Sequence, residues 1–202
     1  NQILFNQVHS NMNISIRISS SSFNHVEGNN ASFSGVGIFL DWASDNVIVN
    51  NLANYNAYHG ITLEWFSDRN RVTDNSAIGG LVGISLDMSS NNEILYNNAS
   101  LNNIGISLEW TSNNNIIFHN TMSHNVYHGL SFTWESNYNV VRNNTIGYNN
   151  EYGVYVYESS NNTIYHNDIL YNTIQAFDNA VNAWDDGYPC LLYTSDAADE
   201  ED

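Results

Sequence analysis

A parallel β-helix is the fold this sequence predicts. Three observations carry the prediction: a repeat of 22 to 24 residues, apolar residues in alternation inside each repeat, and asparagine at 37 of 202 positions. Alignment on glycine gives Gly37, Gly60, Gly83, Gly105, Gly129 and Gly153, with Ser15 one unit earlier and Ala176 one unit later. The units read G-I-x-L-x-x-x-S-x-x-N-x-I-x-x-N, as in GISLDMSSNNEILYNN from Gly83 and GISLEWTSNNNIIFHN from Gly105. A fixed period of this length marks a stacked-repeat architecture.

The first strand of a unit follows from apolar residues one and three places after the glycine: Ile38 and Leu40, Ile61 and Leu63, Ile84 and Leu86, Ile106 and Leu108, Leu130 and Phe132, Val154 and Val156, with Ile16 and Ile18 before them. A spacing of two is the strand period. A second strand is marked by Val26, Ile48, Val72, Ile94, Ile116, Val141 and Ile164, and a third by Ala53, Ala77, Ala99, Met122, Ile146 and Ile169. Runs this short cannot bury their apolar residues alone, but coils stacked ~4.8 Å apart would form a continuous dry column. Serine seven places after the glycine, at Ser22, Ser44, Ser67, Ser90, Ser112, Ser136 and Ser160, predicts a turn-stabilising ladder rather than a catalytic hydroxyl.

Asparagine is poor in helices and strands, so its excess needs another cause. Turns between coils want residues that tolerate left-handed backbone and bond neighbouring peptides through the side chain. Two columns meet that description, Asn51, Asn75, Asn97, Asn120, Asn144 and Asn167, and Asn24, Asn46, Asn70, Asn92, Asn114, Asn139 and Asn162. Both are expected to run as amide ladders. A leucine-rich repeat would require L-x-x-L-x-L, and a left-handed hexapeptide helix a period near 18; neither is present. The expectation is an all-β, right-handed, single-stranded solenoid of about seven coils.

Acids outnumber bases 21 to 4, all four bases being Arg, for a net charge of −17. That excludes a lysine-dependent phosphate loop, a Schiff-base enzyme and a nucleic-acid partner that needs a basic face. One Cys excludes a disulfide scaffold or thiolate cluster, and no apolar run is long enough for a membrane-spanning helix. Residues 1–14 read as a truncated first coil, 15–176 as the repeats and 177–189 as a post-repeat segment. Residues 190–202, beginning CLLYTSDAADE, resemble a translated sequencing adapter and are set aside from function. Without that tail four bases face sixteen acids, so the chain stays acidic.

From about Ser10 to Asn172 the units resemble the NosD-like β-helix repeats, a family that includes periplasmic copper-site maturation proteins and archaeal surface proteins, within a broader carbohydrate-binding and sugar-hydrolase repeat class. NAWDDGYP, from Asn182 to Pro189, is similar to a segment that follows the repeats in archaeal members. The resemblance implies a parallel β-helix and an extracellular, cell-surface or periplasmic location. It is nearly silent on chemistry.

Candidate chemistry lies four and five places after the glycine. Asp41, Glu64, Asp87 and Glu109 form a row of carboxylates one coil apart, where each neighbour costs ~1 kcal/mol of repulsion even in water. Three uses would justify the row: a shared cation, sugar hydroxyls, or an acid/base pair of the kind that cleaves glycosides. A solvated acidic face is the plain alternative. Trp42, Trp65, Trp110 and Trp134, with Met88 between them, follow the carboxylates and would form an outward sugar-stacking track if the strand has ended, or core if it continues. Glu135 and Glu158 would extend the acidic edge. Asp185 and Asp186 would fit a weak Ca2+ site or a plain turn. A copper site would want clustered histidines, whereas His59 and His128, in the same slot before the glycine, lie three coils apart, and only Arg142 offers the base a lyase would need. The reading is a binding or display module for a polysaccharide or surface glycan. A polysaccharide hydrolase or lyase, a NosD-like copper-site maturation factor and an inert spacer are the alternatives.

Overall fold

The computed structural model describes residues 1–185; the expectations for Asp186 and for residues 190–202 lie outside the described residues. The chain winds into a parallel β-helix of about eight turns with three faces and no helix among the described residues. The long face stacks eight parallel strands, Ile14–Ser19, Val36–Asp41, His59–Glu64, Val82–Asp87, Ile104–Glu109, His128–Phe132, Tyr152–Val156 and Ile174–Asp178. A second face stacks eight strands of three residues, from Gln2–Leu4 to Thr163–Tyr165. The third has three strands, Thr121–Ser123, Thr145–Gly147 and Asp168–Leu170, continued through the earlier coils by single bridges from Gln7 to Thr121. Register repeats like on like, Ile38 with Ile61, Ile61 with Ile84, and Ile84 with Ile106. All of these side chains are fully buried.

Asparagine closes the corners, with a division of labour that the sequence reading did not separate. The left-handed residue is usually not the ladder asparagine but the one before it: Asp74 before Asn75, Tyr96 before Asn97, His119 before Asn120 and Tyr148 before Asn149 all have φ between 54° and 58°. The left-handed kink turns the following side chain inward. There Asn97 Oδ1 accepts from the Asn75 backbone N–H at 2.9 Å, while Asn97 Nδ2 donates to Val72 O and to Asn120 Oδ1. Each amide satisfies buried backbone groups that a sharp corner would otherwise strand.

A third ladder runs through Asn102, Asn125, Asn149 and Asn172. It explains the glycine column. A Cβ on Gly83 would lie 2.6 Å from Asn102 Nδ2 and 2.7 Å from Gly105 O, so no larger residue fits beside the amides. Where Gly80 takes the place of an asparagine, Asn56 Nδ2 is left shielded without an acceptor.

Two columns run one residue later than expected in the coil from Gly105 alone, at Asn115 and Ile117. At the corner after the long strand both Trp110 and Thr111 are left-handed in the coil from Gly105, whereas only Met88 is in the coil from Gly83. The added corner residue moves everything after it. Asn115, not Asn114, is the buried rung, accepting from the Asn92 N–H at 2.8 Å, and Asn114 is exposed at φ 57°. Ile117, not Ile116, enters the core. The inward column at this corner is Ala43, Ser67, Ser89, Ser112, Ser136 and Ser159, so Ser44, Ser90 and Ser160 stand one place outside it. These outer serines join a second chain of contacts, as in Asp68 N–H to Ser44 Oγ and Ser90 N–H to Asp68 Oδ1.

The register makes a direct prediction. Asn115→Ala, which takes the acceptor from the buried Asn92 backbone N–H and the Nδ2 donor from Ser89 O and Asn139 Oδ1, is expected to cost ~2 to 4 kcal/mol, against about 1 kcal/mol or less for Asn114→Ala. Urea unfolding of the two variants checks this; equal costs would contradict the shifted register.

Candidate functional site

Beyond the core, the outer side of the long face carries the chemistry. Phe39, Thr62, Ser85, Ser107, Ser131 and Tyr155 occupy one register column, two places after the glycine. They share the outer side with the carboxylates two residues on, since Thr62 Oγ1 bonds Glu64 Oε1 at 3.2 Å and Ser107 Oγ bonds Glu109 Oε1 at 2.7 Å. The column is large at its ends and small in its middle. Four hydroxyl residues thus form the floor of a trough ~14 Å long, three coil rises. Thr62 and Ser107 are 0% and 1% exposed although they face outward, because taller neighbours flank them. Phe39, with the Arg17 guanidinium 5.4 Å over its ring, stands at one end, and Tyr155, stacked on His128 and Phe177, at the other.

The carboxylates form one rim. Asp41, Glu64, Asp87 and Glu109 pair coil to coil in direct register. Asp41 accepts two bonds from Arg17, at 3.1 and 2.9 Å, and one from Ser19, and the Arg17 contact holds its carboxyl below the usual carboxylate range. Glu64 and Asp87 are half-buried and have no cationic partner among the described residues. Burial pushes both upward; the Asp87 and Asp41 charges add to this at Glu64, against the Thr62 hydrogen bond, and the Glu109 charge adds to it at Asp87. Asp87 Oδ1 is shielded and accepts no hydrogen bond.

His59 and His128 stand at the strand entries, the edge opposite the carboxylates. Burial pushes both below the ordinary imidazole value, against the pull of Glu109 on His59 and Glu151 on His128. Exposed Tyr58 and Tyr127 immediately precede them. Sequence reasoning missed both the hydroxyl floor and this second edge. A serine or threonine facing outward has no distinctive signal, and only the size change along the column, between Phe39 and Tyr155, announced the trough.

Beside the carboxylates, Trp42, Trp65, Trp110 and Trp134 are 43 to 55% exposed. Each has left-handed backbone, which ends the strand and turns the ring away from the core, so the alternation that would have placed it inside stops one residue earlier. Trp110 and Trp134 stack at 5.0 Å and 9°, Trp42 meets Phe66 at 5.2 Å, and Met88 interrupts the run. Glu135 follows Trp134 at this corner and Glu158 stands there one coil on, joined by the Glu135 N–H to the Glu158 carbonyl.

Other candidates do not converge. Asp185 is exposed at the end of the described region, and among the described residues no group of three or more His, Cys, Asp or Glu is arranged to hold a metal ion. His59 and His128 are three coils apart in register; His119 stacks on Tyr96 and His124 on Tyr148. Met122 is in the core. This donor set does not fit a copper centre. Arg142 lies over the Phe118 ring at 4.3 Å, away from the carboxylates, so it supplies no base to them. A shallow depression of about 440 Å³, lined by Asp74, Ser76, Tyr96 and Asn98, lies at a different corner of the coil.

The carboxylate shifts set a pH dependence. Folding raises the pKa values of Glu64 and Asp87, so they weaken the fold increasingly as pH rises from the usual carboxylate range through their raised folded values. The double variant Glu64→Gln, Asp87→Asn is expected to melt above the parent at neutral pH, with the difference vanishing below the usual carboxylate range. Asp41 has the opposite sign: its stabilisation is present above the unfolded pKa and lost as pH falls through the lowered folded value. Asp41→Asn should therefore melt lower than the parent only at the higher pH. Circular-dichroism melts across pH check both, and pH-independent differences would contradict the assignment.

Comparison with known proteins gives the fold its relatives. The periplasmic alginate epimerase AlgG superposes with a TM-score of 0.75 at 20% identity, over 90% of this chain and 50% of the epimerase. DFA-IIIase from Arthrobacter chlorophenolicus gives 0.67 at 15% identity, over 83% and 45%. The mannuronan C-5 epimerase AlgE4 A-module of Azotobacter vinelandii gives 0.59 at 16% identity, over 84% and 63%. The chain spans about half the length of the first of these, and at such identities the likeness is one of fold. Comparison with curated proteins gives no match. The family model described as periplasmic copper-binding protein (NosD) matches residues 1–190, and with a parallel β-helix running through the described part of that span, the chain belongs to the NosD family.

Proposed function

We propose that this β-helix is a non-catalytic, extracytoplasmic binding or display module whose ligand is a polysaccharide lying along the long face. The observation that carries the reading is the trough itself, with buried hydroxyls on the floor, carboxylates on one rim and exposed indole rings beside them. Sugars are gripped by this combination, ring faces against aromatics and hydroxyls against paired acceptors. One coil rise, ~4.8 Å, is close to the length of one pyranose in an extended chain, so a polysaccharide parallel to the axis meets the same groups at each step. Structural relatives named as polysaccharide-active enzymes support a glycan ligand, and the periplasmic description of both the family and AlgG supports a place outside the cytoplasm.

A second reading is favoured by one observation. Glu64, one coil from Asp87 in direct register, is pushed upward by burial and by the neighbouring Asp87 and Asp41 charges, the direction that the proton-donating member of a carboxyl pair needs. Under it the chain cleaves the glycan that it binds, with these two carboxyls flanking the bond.

A glycan array on the parent, Trp110→Ala and Glu64→Gln separates the readings. Trp110→Ala is expected to weaken binding about three- to tenfold, the worth of one ring contact. Under the binding reading no new reducing ends appear in the bound glycan. Their release by the parent and not by Glu64→Gln would favour the enzyme, and absence of any bound glycan would remove both.

A further inference from the structure

The corner where the third face meets the long face carries an apolar seam that the trough does not use. Its left-handed position is held by Phe33, Tyr55, Leu101, His124, Tyr148 and Tyr171, one per coil, with Gly79 in the coil between Tyr55 and Leu101. The Tyr55 ring covers that glycine, since a Cβ on Gly79 would lie 2.5 Å from Tyr55 Cδ1. Phe33 stacks on Tyr55 at 5.3 Å, and Tyr148 stacks on both His124 and Tyr171 at 5.0 Å. A second row begins just past the inward asparagine position, with Tyr58, Leu81, Val126, Tyr127 and Ile174. Apart from His124, the ten large side chains of the two rows are 44 to 60% exposed.

Exposed rings occur at other corners, but there charges and amides break the row. Between Phe23 and Tyr138 the left-handed position holds Asp45, Arg69, Asn91 and Asn114, and Tyr96 stands between Asp74 and His119. Along the seam the one carboxylate is Glu151, whose Oε2 lies 3.8 Å from His128 Nδ1 beside the long strand. The acidic excess of a chain with net charge −17 therefore lies on its other surfaces. Two copies repel along most approaches and meet without apposed rows of acids along this one. Ten side chains of this size, each about half exposed, present on the order of 1,000 Å², more than a monomer commonly leaves in one patch and close to the ~800 Å² that each partner gives to a stable interface.

We propose that this seam is a homodimer interface, in which a second copy of the chain packs its own seam against the first. The contact is isologous: a straight row of the same aromatic and aliphatic character in coil after coil is complementary to itself. Tyrosine suits it, supplying ring area to the middle of the contact and a hydroxyl to the rim. An anionic membrane, another host for an apolar row, is repelled by the same negative charge that keeps the copies apart elsewhere. The inference is independent of what the trough binds.

Sedimentation velocity of the full chain, under reducing conditions so that Cys190 cannot bridge two copies, is the test. The parent is expected to sediment as a dimer at tens of micromolar, and to associate more tightly as salt rises, because ions screen the acids of the two copies. Tyr55→Asn, Leu101→Asn and Tyr148→Asn together put a residue that tolerates left-handed backbone at three such positions, so the triple should melt as the parent does by circular dichroism and associate at least tenfold more weakly. Tyr58→Ser with Tyr127→Ser, in the second row, should weaken association as well. A control triple, Phe23→Asn, Tyr96→Asn and Tyr138→Asn, removes as many exposed rings from other left-handed corners and should leave the dimer intact. Equal weakening by the two triples would assign association to apolar exposure in general and overturn the proposal. So would a parent that stays monomeric, that grows beyond a dimer, or that dissociates as salt rises; a monomer that binds zwitterionic vesicles would give the seam to lipid instead.

Discussion

The inward asparagine amide is the interaction on which the rest of this molecule depends. A coil of 22 to 24 residues must turn three corners sharply enough to return beneath itself, and each corner leaves backbone groups pointing into a dry interior. The left-handed residue makes the bend, and the asparagine after it bonds the coils on either side, as Asn97 does with Asn75 and Asn120. Because the amide spans one coil spacing, it fixes the rise and register of all three faces together. It also dictates the glycines, since the Asn102 and Asn149 amides occupy the space where a Cβ on Gly83 or Gly129 would go.

With core and corners assigned to apolar residues and amides, the outward positions of the long face are released from folding duty. There a single column changes size from Phe39 to Thr62, Ser85, Ser107 and Ser131 and back to Tyr155, and that change alone makes a trough on an otherwise even surface. The carboxylates beside it are unequal because only Asp41 meets an arginine. Burial then acts on Glu64 and Asp87 with nothing to offset it except one threonine hydroxyl. Membership in the NosD family fixes the architecture, and among the described residues no three His, Cys, Asp or Glu side chains gather around one point.

The stacking, the inward apolar pairs and the once-per-coil asparagines were legible because each repeats identically and is enforced by contact with its own copy. The shift from Asn114 to Asn115 and from Ile116 to Ile117 was not, because this coil offers asparagine and isoleucine at both neighbouring places, and only the number of left-handed residues at the preceding corner, one or two, decides between them. The tryptophans were undecided for a related reason. Strand alternation continued by one residue puts Trp110 inside, and only the backbone sign at that residue puts it outside. The carboxylate row was read correctly as a column, whereas its electrostatics required knowing that Arg17 lies one coil below Asp41 and that no cation lies beside Asp87.

That variable corner has a wider consequence. Met88 turns the chain in one step and Trp110 with Thr111 in two, yet Ser89 and Ser112 land in the same inward column. Insertion or deletion of a single amino acid is absorbed at this edge within one coil and is not passed to the next. The molecule can thus diversify what it touches without renegotiating how it folds, and lineages of such proteins should differ most in length and character along this one seam.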